Sequence, residues 1–185
     1  MSTFRSLRTL PAIMESSHET ATDLTALQAL LDRSYGNAGP YLKSIITPER
    51  RLSAAALCER LDGMCLLTLA TVTADGRPIA APVDGIFYRG AFYFGTSPDS
   101  VRWRHIQQRP QVSATHVPSE ELSVTMHGSA AQIDIRAGNG IRGYLLDIYV
   151  PRYGPEWETF LDSGPRYARI DAEHMFTFYM PGVGT

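Results

Sequence analysis

The stretch from Met64 to Gly95 constrains this chain most. Met64 to Thr73 is dominated by Leu, Val and Thr, with no helix breaker, and reads as a strand. Ala74-Asp75-Gly76-Arg77 follows, and an Asp-Gly pair tolerates the positive φ that tight β-turns require. Arg77 to Tyr88 is then the return strand. Its prolines, Pro78 and Pro82, cannot donate to a ladder, so this strand must have an open edge or a bulge there. Arg89-Gly90 turns the chain again into Ala91–Gly95, a third strand with alternating Phe92 and Phe94. Short turns between successive strands commit the chain to antiparallel pairing.

The remaining elements extend this pattern. Ser97-Pro98-Asp99 has the chemistry of a helix start, and that helix ends at Arg109-Pro110. Gln111 to Val117 and Glu121 to Ile135 are two further strands joined by Pro118-Ser119-Glu120. Arg142 to Val150 reads as a helix, and Pro151 to Gly164 as turn-rich chain with a short helix around Trp157 and Phe160. Tyr167 to Tyr179 is the last strand. Upstream, Thr47-Pro48-Glu49 starts a helix that runs to about Leu61, and Asp23 to Arg33 carries leucines at helical spacing, ended by Gly36. Asn37-Ala38-Gly39-Pro40 reads as a loop, and Met1 to Ala21 as an extended or partly disordered arm. The expected fold is mainly β with flanking helices. Its sheet avoids exposed edges by curling into a barrel whose open ends the helices cover. Residues 1–46 form an N-terminal arm with a short helix, and 47–185 the barrel domain.

Composition removes several classes of function. The chain has 185 residues and a net charge of −2, so no global positive field is present to hold a nucleic acid. No stretch approaches the roughly 20 apolar residues of a membrane-spanning helix. The expectation is a cytoplasmic protein that binds neither nucleic acid nor membrane. Cys58 and Cys65 suit buried thiols, and none of the five histidines shows metal-ligand spacing.

The densest candidate for chemistry is Arg77 together with Gly95-Thr96-Ser97-Pro98-Asp99-Ser100-Val101-Arg102-Trp103-Arg104. A phosphate ester wants a bidentate arginine, hydroxyl donors and backbone N–H groups at a helix start, and this junction supplies all three. Of 17 basic residues only Lys43 is a lysine, so guanidinium forks abound. Gly95 would let a flat ligand approach the backbone closely. The plainer reading is an ordinary capped helix with solvated arginines.

Thr68-Leu69-Ala70-Thr71-Val72, Asp75-Gly76-Arg77-Pro78, Pro82-Val83, Phe92-Tyr93-Phe94-Gly95-Thr96, Ser100-Val101-Arg102 and Gln108-Arg109-Pro110 occur in that order. The series resembles the flavin-binding split barrel of the pyridoxamine 5'-phosphate oxidase-like superfamily, over roughly residues 47–135 and more loosely from Tyr167. The resemblance implies a six-stranded antiparallel split β-barrel and a homodimer with cofactor sites between subunits. It implies FMN as the cofactor, with a deazaflavin coenzyme or heme as alternatives known within the fold. By this likeness Ser100 and Arg102 meet the flavin phosphate, Arg102 standing where the family has lysine. Arg77 and Thr96 assist, Ile79 and Ala80 flank the ring through their backbone, Gly95 lies at the end of the third strand, and Ser123 comes from the other subunit. The family's Asn-Pro is Arg109-Pro110 here, and the Arg-rich C-terminal substrate signature of the true oxidases has no match.

Three functions follow as expectations. The first is an FMN-dependent oxidoreductase passing hydride through the flavin N5 to or from a small molecule. The second is a deazaflavin-dependent reductase, and the third a non-catalytic ligand- or heme-binding barrel. No residue stands out as catalytic. His105 follows the phosphate junction and could add a donor, but a surface position is its plainer reading, and Trp103 suits packing on a barrel wall.

Overall fold

The hairpin around Asp75-Gly76 makes the first corner of the sheet in the computed structural model, which describes residues 18–138 and 140–182. Most of the expected N-terminal arm, residues 1–17, lies outside the described residues. Strand β1 (Met64–Val72) pairs antiparallel with β2 (Pro78–Tyr88), and Gly76 turns between them at φ +83°. β3 (Ala91–Thr96), β4 (Gln111–Ser119), β5 (Leu122–Ile133) and β6 (Arg166–Tyr179) complete a closed antiparallel barrel in the order β1-β2-β3-β6-β5-β4. The fold is the expected six-stranded barrel with flanking helices. β2 meets β1 over Pro78–Ile86 but β3 only over Gly85–Tyr88. Pro78 and Pro82 therefore fall where one side of the strand is open, as their missing N–H groups require.

Two apolar layers hold the barrel. Inside, alternate residues of each strand interdigitate, with Leu67, Leu69, Phe92, Phe94, Val124 and Met126 almost wholly buried. Outside β2, β3 and β6, a second layer collects Ile86, Tyr88, Tyr93 and Tyr167 against Tyr144, Leu145, Tyr149 and Leu161. The latter four come from α5 (Ile141–Tyr153) and α6 (Glu156–Asp162), numbered after α1 (Ala21–Asn37), α2 (Pro40–Ile45), α3 (Ala54–Arg60) and α4 (Val101–Gln108). Cys58 and Cys65 are free and buried, and burial pushes both thiols up to about 12, so they stay protonated and act as small apolar groups. Among the described residues, no helix is long and apolar enough to cross a membrane.

The N-terminal region departs from the expected boundaries. Thr20 caps α1 with a reciprocal capping box to Asp23, so the helix starts earlier than Asp23 and runs past Gly36. Pro40 sits at the first position of α2, a helix where a loop was expected. The single helix expected from Thr47 to Leu61 is two pieces: a 3₁₀ turn at Pro48–Arg50, then α3 capped by Ser53. Between them Arg51 is extended, and the Leu52 N–H donates to Thr177 Oγ1 at 3.0 Å instead of continuing a helix.

That contact belongs to a seam between α1 and β6. β6 pairs with β3 only over Arg166–Arg169, so its later residues have no strand on that side. Helix α1 supplies the missing partners. Ser34 Oγ accepts from Met175 N at 2.9 Å, and Tyr35 Oη accepts from Thr177 N at 2.7 Å and donates to Thr177 O at 2.8 Å. Ser34 and Thr177 are completely enclosed, and Leu27, Leu30 and Leu31 of the same helix sit in the barrel's own core. Tyr35→Phe would keep the ring and orphan a buried N–H. We expect it to lower unfolding free energy by about 2 kcal/mol in urea titration; an unchanged midpoint and slope would show that the seam contributes nothing.

Candidate functional site

The junction of β3 with α4 is built from hydroxyls. Ser100 is extended, and its Oγ accepts from Trp103 N at 3.0 Å, so it is the N-cap of α4. The cap lies three residues later than the expected start, because Ser97-Pro98-Asp99 makes a turn in which Ser100 N donates to Ser97 O at 3.1 Å. Thr96 Oγ1 lies 3.0 Å from Ser100 Oγ. Trp103 and Ile106 are buried in the barrel core and fix the helix to the wall, so the cap keeps its place. Among the described residues, nothing accepts from the N–H groups of Val101 and Arg102, which leaves two amide donors at the positive end of the helix.

Arg102 is partly buried, and its Nη2 donates to the Pro82 carbonyl at 2.9 Å, on the open edge of β2. Burial holds its guanidinium below the usual arginine range, and no carboxylate pairs with it among the described residues. An arginine keeps its proton regardless, so a partly desolvated cation stands here without a counter-ion. It borders a cavity of about 260 Å³ that Leu69, Thr71, Ile79, Ala81, Ser100 and His105 help to line. Among the described residues, no acidic residue lines it. His105 Nδ1 is 3.0 Å from Thr71 Oγ1, so this histidine turns toward the site rather than to the surface.

The structure gathers some of the expected site residues and leaves others apart. Ile79, Ser100 and Arg102 share this cavity, and Thr96 reaches it through Ser100. Arg77 is not among its lining residues: its Nε pairs with Asp75 at 2.8 Å in the hairpin turn, and its side chain is 74% exposed. Ala80 is exposed opposite Ala70 of β1, one residue from the lining positions on either side. Ser123 lies on β5, paired with Phe178 of β6 and separated from β2 by β4 and β1. A Cβ at Gly95 would lie about 3.0 Å from the ring of Tyr167, its ladder partner, so the missing side chain also makes room for that ring.

Gly95 and Thr96 also border a larger cleft of about 430 Å³, which sequence reasoning missed. Val83 and Asp84 of β2 form one side of it, and Tyr149, Trp157, Phe160 and Tyr167 contribute aromatic walls. The signal was present in the spacing. Tyr149, Tyr153, Trp157 and Phe160 recur at steps of four and three, and their rings stack. Trp157 lies 4.6 Å from Tyr149, 5.2 Å from Tyr153 and 4.7 Å from Phe160.

Residues 55–154, over half of the chain, match the family model described as pyridoxamine 5'-phosphate oxidase. The chain belongs to this family. Among solved structures, a conserved hypothetical protein from Mycobacterium tuberculosis shares the fold with TM-score 0.59 and 18% identity, over 71% of this chain and 88% of that one. A FAD-binding protein from Mesorhizobium loti matches with TM-score 0.50 and 18% identity, over 69% of this chain and 93% of that one. A heme-binding protein from Mycobacterium smegmatis matches with TM-score 0.50 and 21% identity, over 65% of this chain and 50% of that one. No curated protein matches the sequence. Flavin-binding and heme-binding proteins thus share this barrel.

The residues around the smaller cavity suit an anionic group. The smaller cavity offers a guanidinium, paired hydroxyls and helix N–H groups with no opposing carboxylate, which is the donor set of an anion tail. Among the described residues no histidine lines the aromatic cleft, and His116 Nδ1 lies 2.9 Å from the Leu66 carbonyl.

Proposed function

We propose that this chain is an FMN-binding flavoprotein that moves hydride to or from a small molecule, with the phosphate held at the β3–α4 junction. The supporting observation is the convergence of the Arg102 guanidinium and the Ser100 hydroxyl on a cavity without acids. Ser100 Oγ and Thr96 Oγ1 share one proton between them, and Ser100 Oγ also accepts from Trp103 N. One hydroxyl proton is left to donate to an anion. The Val101 and Arg102 amides add two more donors, and the Arg102 fork can take two oxygens at once. Backbone at Ile79 and Ala80, on the open edge of β2, is free to lie along a flat ring. When bound, FMN would supply the two-electron carrier, its N5 taking or giving the hydride, while the chain binds, orients and excludes water.

The proposal includes a homodimer. Leu66 on β1, Ile79 on β2 and Val117 on β4 are 56%, 46% and 59% exposed on adjacent strands, which suits cover by a second copy that also brings Ser123 to the site.

Titrating the purified protein with FMN, riboflavin, a deazaflavin coenzyme and hemin tests the reading. FMN is expected to bind at least about tenfold more tightly than riboflavin, since a charge-assisted phosphate contact is worth about 1.5–3 kcal/mol. Equal affinity for the two flavins removes the phosphate site. Saturable binding of the deazaflavin coenzyme alone, or a Soret band in place of flavin binding, replaces FMN as the cofactor. Reduction of bound FMN by NAD(P)H, followed by reoxidation with a candidate substrate, separates an enzyme from a carrier.

A further inference from the structure

The aromatic cleft has a charge character opposite to that of its neighbour. Thr96 borders it and also contacts Ser100 of the smaller cavity, so the two lie side by side. Yet among the described residues no arginine, lysine or histidine lines the cleft, although the chain carries 16 arginines. Asp84 is the only charged residue of its lining among the described residues. Among the described residues, the Asp84 carboxylate makes no ion pair and no side-chain hydrogen bond. It also stands close enough to Tyr149 and Tyr167 to add to the burial that raises both phenols, Tyr167 to about 12. Both hydroxyls therefore stay protonated at neutral pH.

We infer that this cleft binds an organic cation with a flat or apolar body, its charge set against Asp84 and its body among Tyr149, Trp157, Phe160 and Tyr167. Aromatic rings attract cations through their electron-rich faces, and a carboxylate at the mouth adds a formal charge. The volume suits a small molecule. A phosphorylated substrate would find no cationic partner in this lining, and would face Asp84 besides. The inference rests on the flavin reading only for its catalytic meaning, namely that the cation is the molecule exchanging hydride; binding itself does not depend on it.

The test uses three probes of similar size and different charge on the full chain: benzyltrimethylammonium, benzyl alcohol and benzenesulfonate. Calorimetry and tryptophan fluorescence, with Trp157 in the wall, read their binding with and without FMN. The cation is expected to bind about tenfold more tightly than the neutral probe, with the anion weakest. Asp84 is exposed on its strand, so Asp84→Asn should fold normally by circular dichroism and abolish the preference for charge. Equal binding of all three probes overturns the inference, as does a cation preference that survives Asp84→Asn. Competitive displacement of the cation by FMN also overturns it, because the cleft would then be the seat of the flavin ring. FMN binding without cation preference defeats this inference alone. Cation preference without FMN binding defeats the flavin reading alone.

Discussion

Replacing Gly128 by alanine is expected to lower the melting temperature by roughly 10 °C, from about 3 kcal/mol of lost stability in a domain of this size. Gly128 stands at the register shift between β5 and β6, where the ladder slips between His127 and Gly128. A Cβ there would clash with the Asp171 carbonyl oxygen and lie 2.9 Å from Ala172 Cα. Both neighbours are backbone, so relief requires β6 to move away from β5 along the longest pairing in the barrel. A flexible side chain could turn aside; backbone paired along this ladder cannot do so without breaking it. Gly143 provides the control. It lies on the exposed face of α5 with nothing near its absent Cβ, so Gly143→Ala should be neutral or stabilising by up to about 1 kcal/mol. Thermal unfolding followed by circular dichroism reads both. A Gly128→Ala protein melting within about 2 °C of the parent would mean that the β5–β6 ladder yields far more easily than its geometry suggests.

Arg102→Ala is expected to weaken FMN binding by about 10- to 100-fold while leaving riboflavin affinity unchanged. The contrast isolates the phosphate, since riboflavin has the same ring and lacks the anion. The guanidinium's hydrogen bond within the chain is to Pro82 O, at a partly solvated edge, so folding should change little. Arg102→Lys should recover part of the affinity, because a point charge replaces a fork. FMN affinity equal to the parent's in Arg102→Ala would remove Arg102 from the site and transfer the role to Arg77. That residue can reach an anion only by leaving Asp75, which an exposed ion pair opposes weakly.

The barrel was legible because its signals are local. Alternation along a strand and an Asp-Gly turn depend on neighbours a few residues apart, and Pro78 and Pro82 announced an open edge by chemistry alone. Ser100 and Arg102 were legible for the same reason, being two residues apart on one helix start. The break at Arg51-Leu52 was not, because what ends the helical run is Thr177, 125 residues away. The aromatic cleft was hidden similarly. Tyr149 and Trp157 share a helical hairpin, but Asp84 and Tyr167 reach them only through sheet pairing. Gly95 illustrates the limit most plainly: its small size was noticed, while the Tyr167 ring beside it lies on β6, a neighbouring strand far away in sequence.

The seam between α1 and β6 has a consequence for how the molecule behaves at high concentration. A strand whose N–H and C=O groups face outward is a template for another chain, and Met175 and Thr177 would form such a template if Ser34 and Tyr35 were withdrawn. Helix α1 thus guards against runaway polymerisation, and a version trimmed past Tyr35 should precipitate into fibrous or amorphous aggregates rather than persist as a smaller folded unit.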